Sequence, residues 1–218
     1  MATAEPIIKL SAEQESALLR LATQSIEHGL NCRRPLPVDP RGYPSPLCDL
    51  WAAFVTVRVQ QELRGCVGTI EANQPLVSNV VKYAYVAAFE DLRFAEITWS
   101  DYVQLQLQIS ILSPTSPLSF GTEAELVAQL RPGVDGLILE AEGQRGTFLP
   151  SVWESIKTPR EFWLGLKRKA GLPPHYWSGA MKVHRYTTYC LSSSPGERPP
   201  LASPGESGND DQPSCPAV

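Results

Sequence analysis

The chain has 218 residues, 43% of them hydrophobic, and a formal net charge of −4. That is enough for one full domain of ordinary globular composition. The first ten residues, MATAEPIIKL, carry no long apolar run and no basic flank, so neither a signal peptide nor a membrane-spanning helix is expected. The five cysteines (Cys32, Cys48, Cys66, Cys190 and Cys215) are widely spaced, with no C-x-x-C. They predict reduced thiols in a cytoplasmic protein.

Residues 192–218 are rich in Pro, Gly and Ser, with no aromatic residue. Such a stretch buries too little apolar surface to offset its ordering entropy, so a disordered tail over 192–218 is predicted, with the folded domain over 1–191. The tail holds Glu197, Glu206, Asp210 and Asp211 against Arg198. The remaining chain is then close to neutral and has no global field to attract nucleic acid, although a local basic cleft stays open.

Ser11 with Gln14 makes a capping box for a first helix. Leu18, Leu21, Ala22, Ser25 and Ile26 recur at helical spacing, and Gly29 is the expected stop. Five prolines between Asn31 and Asp49 predict a loop that covers the domain or acts as a lid. Residues 53–59 read as a strand, 60–62 as a turn and 63–70 as the returning strand. Pro75 opens a helix to about Phe89. Val103 to Ile111 alternates apolar residues with glutamine and serine, the pattern of an antiparallel strand with one covered face. Thr122 and Glu125 cap a short helix to Leu130. Residues 136–141 and 146–149 flank a turn over 142–145. Thr158-Pro-Arg-Glu161 starts a helix that ends before Gly171, its basic last turn, Lys167 to Lys169, read as solvated. Residues 181–191 read as one closing strand. Helices and hairpins alternate without a βαβ rhythm, so the predicted class is α+β, antiparallel sheets flanked by helices.

Several chemistries lack their motif. There is no G-x-G-x-x-G after a strand, no P-loop and no G-x-S-x-G elbow. The three histidines have no metal-ligand spacing. No metal and no cofactor is expected.

What remains is Leu63-Arg64-Gly65-Cys66-Val67-Gly68-Thr69. Strand interiors disfavour glycine, so two glycines around one cysteine point to a bend or to a closely approached backbone. In an extended segment Arg64 and Cys66 share a face, and a guanidinium beside a thiol favours the reactive thiolate. Gly65 and Gly68 could bare N–H groups to an anion. The same residues also suit plain structure, with Cys66 a small buried hydrophobe and Arg64 paired with a carboxylate such as Glu71. Asp91 and Arg93 lie two residues apart in a turn after the second helix, and Arg145-Gly146-Thr147 lies at the second hairpin. Both also fit ordinary turn structure.

Seven blocks together resemble one family. They are AFVTV at 53–57, ELRGCVGTI at 62–70, DLRF at 91–94, ISILS at 109–113, PGVDGLIL at 132–139, RGTFLP at 145–150 and KAGLP at 169–173. The chain is similar to the AMMECR family, whose prokaryotic members are called AmmeMemoRadiSam system protein A. The resemblance implies a two-lobed α+β fold with the LRGCVG segment at the cleft between lobes. It implies two partners, a Memo-like protein and a radical S-adenosylmethionine enzyme, but no particular reaction. In many relatives the DLRF block reads D-P-R-F; Leu92 replaces that proline, which predicts a less rigid turn.

Two functions follow as expectations. In one the chain is an enzyme or an enzyme's accessory subunit, with Cys66 as nucleophile and Arg64 lowering its pKa. Gly65, Gly68, Thr69, Asp91, Arg93 and Arg145 then make the substrate-binding set. In the other it is a non-catalytic module binding a small ligand or a protein. An RNA-related role is a third, disfavoured by the near-neutral charge.

Overall fold

A computed structural model of the protein describes residues 8–193. The expected tail lies outside the described residues from 194 onward. Among the described residues the fold is α+β, with two four-stranded antiparallel sheets and five α-helices. The chain divides into two compact units. One holds Lys9–Ser110 with residues 190–193, and the other holds Ile111–Tyr189 with Ile8.

The first unit opens with helix α1, Ala12–Cys32. The capping box forms: Gln14 N–H donates to Ser11 Oγ, and Ser11 N–H to Gln14 Oε1. Gly29 is not the stop. The helix runs on to Cys32 and closes on Arg33, in the left-handed region at φ 55°. Gly29 is needed for close packing instead. A Cβ there would stand 2.4 Å from a ring carbon of Phe89 and 2.8 Å from one of Tyr85. Both rings belong to helix α2, Leu76–Phe89. Ser25, on the apolar face of α1, donates to the Val81 carbonyl at 2.8 Å and so satisfies a buried hydroxyl between the helices.

Strands β1 (Ala53–Val59) and β2 (Glu62–Gly68) form the expected hairpin. Its turn is two residues, Gln60 and Gln61, both at positive φ. That geometry matches the twist of a two-residue hairpin, here without glycine. Helix α2 packs on both strands. Val55 and Val57 on β1 and Val77, Val80, Ala84 and Ala88 on α2 are buried in this core. The turn α3, Trp99–Tyr102, precedes β3, Leu105–Leu112. Val103 therefore caps a helix instead of starting a strand, because Thr98 and Asp101 form a second capping box just before it. The sheet order is β2-β1-β3-β8, with β8 spanning Thr188–Ser192.

The second unit holds β4 (Ser116–Pro117), α4 (Glu123–Ala128), β5 (Gly136–Ala141), β6 (Gln144–Phe148), α5 (Pro159–Lys169) and β7 (Lys182–Tyr186). Its sheet order is β4-β7-β5-β6. Glu142 and Gly143, both at positive φ, make the β5–β6 turn, so Gln144 and Arg145 already lie in β6. The core centres on Trp153 and Phe162, stacked at 3.9 Å, with Trp163, Leu166, Leu137 and Leu139 around them.

Two expectations fail in this unit. The closing strand is two strands, β7 and β8, in different sheets. Ser113 breaks the run: its N–H donates to the Thr187 carbonyl and its hydroxyl accepts from Thr187 N–H. Thr187 thus leaves the ladder, although its residue type favours one. Lys167 is not solvated either. Its side chain is fully buried. The ammonium donates to Glu123 Oε1 at 2.6 Å and to the carbonyls of Pro174 and Tyr176. All three ammonium protons find acceptors, which is what permits a buried lysine. Trp163 Nε1 donates to the same Glu123 oxygen at 2.6 Å.

Lys167→Ala should strand those acceptors and lower stability by about 3 kcal/mol. Urea melts of parent and variant check this, and equal midpoints would contradict it.

Candidate functional site

Strand β2 is the outer strand of its sheet, with β1 on one side. From Gly68 back to Gly65 each residue faces its partner in β1: Phe54 with Gly68, Val55 with Val67, Thr56 with Cys66 and Val57 with Gly65. Arg58 then faces Leu63. Arg64 has no opposite number, so it is the extra residue of a β-bulge. A bulge re-aims the side chain it carries. The Arg64 guanidinium reaches Asp101 at 3.0 Å and the Ala95 carbonyl at 3.5 Å. Its carboxylate partner is therefore Asp101, in the turn of α3, and not Glu71. The bulge interrupts the alternation that would place Arg64 on the face of Cys66. The Cys66 sulfur instead accepts a hydrogen bond from the Thr56 hydroxyl at 3.3 Å.

The backbone of Cys66 is held from the open side of the strand. Its N–H donates to Asp91 Oδ2 at 2.9 Å, and its carbonyl accepts from Arg93 Nη2 at 2.9 Å. Asp91 and Arg93 are themselves joined through Nε–Oδ1 at 2.8 Å and Nη2–Oδ2 at 2.6 Å. Asp91 is nearly buried, whereas Arg93 is largely exposed. The Arg93 guanidinium, together with the N–H groups of Cys66 and Arg93, outweighs burial and holds the Asp91 carboxyl down at about 2. With leucine at position 92, Asp91 braces the turn through its side chain and its carbonyl. Asp91 Oδ1 accepts from Arg93 N–H and the Asp91 carbonyl from Phe94 N–H.

The two glycines have steric reasons. A Cβ on Gly65 would fall 1.8 Å from the Ala87 carbonyl oxygen of α2, and one on Gly68 2.3 Å from the Ala53 carbonyl oxygen. Backbone approach explains both, and the anion that the segment does bind is the protein's own Asp91. Thr69 N–H joins the Ala53 carbonyl, and its hydroxyl accepts from Glu71 N–H.

Arg64, Gly65, Cys66, Gly68, Thr69, Asp91 and Arg93 thus belong to one unit. Arg145 belongs to the other, where it pairs with Glu140 across β5–β6 at 3.0 Å. It lines a cavity of about 370 Å³ with Glu140, Glu142 and Lys182. The sequence reading missed Thr56 and Asp101. The Thr98–Asp101 capping pattern was the available signal for Asp101; Thr56 left none beyond its place in β1. Cys48, Cys66 and Cys190 are free thiols. Among the described residues no group of His, Cys, Asp and Glu could hold a metal ion, and no helix is long and apolar enough to cross a membrane.

Comparison with known proteins places this geometry in a family. The AMMECR1 family model matches residues 19–191. The chain belongs to the AMMECR1 family. A protein of Thermofilum pendens is 34% identical over 194 residues, covering 82% of this chain and 89% of its own length. One of Thermococcus onnurineus is 32% identical over 208 residues, covering 88% and 98%. Among solved structures, the uncharacterized protein PH0010 of Pyrococcus horikoshii superposes with a TM-score of 0.79 at 29% identity, covering 88% of this chain and 97% of that one. In this AMMECR1 chain the LRGCVG and DLRF blocks, 25 residues apart between Cys66 and Asp91, are hydrogen-bonded to one another.

The depressed Asp91 pKa fixes a pH dependence. Its contribution is complete above the unfolded value near 4 and is lost as pH falls toward 2. Discounted for the exposed Arg93, it amounts to about 1–2 kcal/mol. Denaturant melts at pH 5 and at pH 2.5 should show that loss in the parent and a smaller one in Asp91→Asn. An equal loss in both would contradict the assignment.

Proposed function

We propose that this AMMECR1-family chain is a non-catalytic accessory subunit, and that the joined LRGCVG and DLRF blocks form a rigid recognition platform. The observation that carries this reading is where the polar side chains point. Arg64 is bound to Asp101, and Asp91 and Arg93 are bound to each other and to the Cys66 peptide. Groups that an enzyme would offer to a substrate hold the protein's own backbone. What the turn offers outward is Leu92, 99% exposed, next in sequence to the largely exposed Arg93. An apolar tip next to a cation suits a protein partner. The Memo-like protein and the radical S-adenosylmethionine enzyme implied by the family resemblance are the partners of this proposal, and the difficult chemistry sits on the latter.

A second reading keeps Cys66 as a nucleophile. It is favoured by one contact, the Thr56 hydroxyl donating to a partly exposed sulfur. A donor to sulfur stabilises a thiolate.

Two measurements separate the readings. Leu92→Asp should abolish co-elution with the partner proteins while the melting temperature stays within about 1 °C, since no buried area changes. Co-elution that survives Leu92→Asp removes the platform reading. Iodoacetamide labelling followed by mass spectrometry should modify Cys66 no faster than the exposed Cys190. Faster labelling of Cys66 supports the nucleophile.

A further inference from the structure

Trp99 and Val103 are 48% and 54% exposed, unusual for large apolar side chains so close in sequence. Val103 keeps right-handed helical backbone, so the two side chains, four residues apart, share one face of α3 and its cap. The Tyr102 ring meets Trp99 edge-on, with centroids 5.6 Å apart. Its hydroxyl donates to Glu27 at 3.1 Å, which holds that ring in place. An indole, a phenol ring and a valine thus form a small apolar surface with a preset aromatic pair.

The described chain ends beside this surface, in the same unit. Strand β8 runs antiparallel to its neighbour β3. The Thr187 carbonyl meets Ser113 N–H at one end, and Ser193 N–H meets the Leu107 carbonyl at the other. Leu107 N–H also donates to Ser193 Oγ. Past Ser193 the chain therefore heads toward Leu105 and α3. From Leu107 back to Trp99 the backbone spans at most about 20 Å, four extended residues and one helical turn. Pro199 follows Ser193 by six residues, and that length of extended chain also reaches about 20 Å.

Residues 199–201 have the chemistry for this surface. Pro199 and Pro200 are the first adjacent prolines after Ser193, and Leu201 is the one leucine of that stretch. Adjacent prolines favour the polyproline II conformation, which aromatic surfaces bind at small ordering cost. The size of the patch argues against a separate chain. The open parts of Trp99 and Val103 amount to roughly 200 Å², whereas a stable interface between chains needs about 1,000 Å². A short tether holds its own segment at a roughly millimolar effective concentration, so a weak contact suffices.

We propose that Pro199-Pro200-Leu201 of the same chain docks on the Trp99–Tyr102–Val103 surface. The proposal stands apart from the platform reading, since it concerns neither Leu92 nor Cys66.

Glutamyl endopeptidase cuts after Glu197, just before the segment, and after Glu206, beyond it. In the full-length chain, Trp99→Ala/Val103→Ala should speed cleavage at Glu197 about threefold and leave cleavage at Glu206 unchanged. A second measurement leaves α3 intact. With 5-fluorotryptophan incorporated, the Trp99 fluorine resonance is identified by its loss in Trp99→Phe. That resonance should move in Pro199→Gly/Pro200→Gly/Leu201→Gly, and this result decides the matter if Trp99→Ala/Val103→Ala loses its cooperative melt. Equal cleavage at Glu197 in parent and a folded Trp99→Ala/Val103→Ala overturns the proposal, as does a Trp99 resonance that stays in place. Protection of Glu197 that grows with protein concentration also overturns it, because the segment then comes from a second copy.

Discussion

The peptide of Cys66 is gripped on its outer side by one acidic and one basic side chain, and much of the first unit follows from that grip. For Asp91 to reach the Cys66 N–H, the chain must turn sharply after α2 and come back past β2. For α2 to lie close enough to deliver the turn, β2 must approach the Ala87 carbonyl, and there only glycine fits, at position 65. The Arg93 guanidinium, aided by the N–H groups of Cys66 and Arg93, keeps Asp91 ionised below its ordinary range.

Arg64 illustrates how one inserted residue redirects chemistry. Had β2 continued as a regular strand, Arg64 would stand on the face of Cys66, and an activated thiol would be the natural reading. The bulge sends its guanidinium to Asp101, where it ties the turn of α3 to the hairpin. The LRGC block therefore links three segments: β1 through the ladder, the 91–93 turn through Cys66 and α3 through Arg64. Packing and hydrogen bonding constrain its sequence at three consecutive positions, Arg64, Gly65 and Cys66. That constraint is what supports the recognition platform proposed above.

Local signals were legible in the sequence wherever a side chain acts on its own neighbourhood. The Ser11–Gln14 box, the Thr122 cap and the Thr158-Pro start each specify a helix within four residues, and each formed. The β1–β2 hairpin was visible from its β-branched run. Signals failed where a distant partner decides. Gly29 reads as a helix stop but serves the approach of Tyr85 and Phe89, some sixty residues on. Lys167 reads as a solvated end until α4 supplies Glu123. The break at Thr187 depends on Ser113. At the candidate site, the segments were found, yet their joining was not. Nothing in Asp91-Leu-Arg93 announces that its charges bind the backbone of residue 66.

The central claim is that the Asp91 carboxylate accepts the Cys66 N–H. The amide proton of Cys66, followed by nuclear magnetic resonance from pH 6 downward, reports that contact directly. Its chemical shift should stay fixed through pH 4 and move with a midpoint near the Asp91 value of about 2. A midpoint near 4, the range of an unpartnered carboxyl, or a shift that does not follow Asp91 at all, would contradict the account.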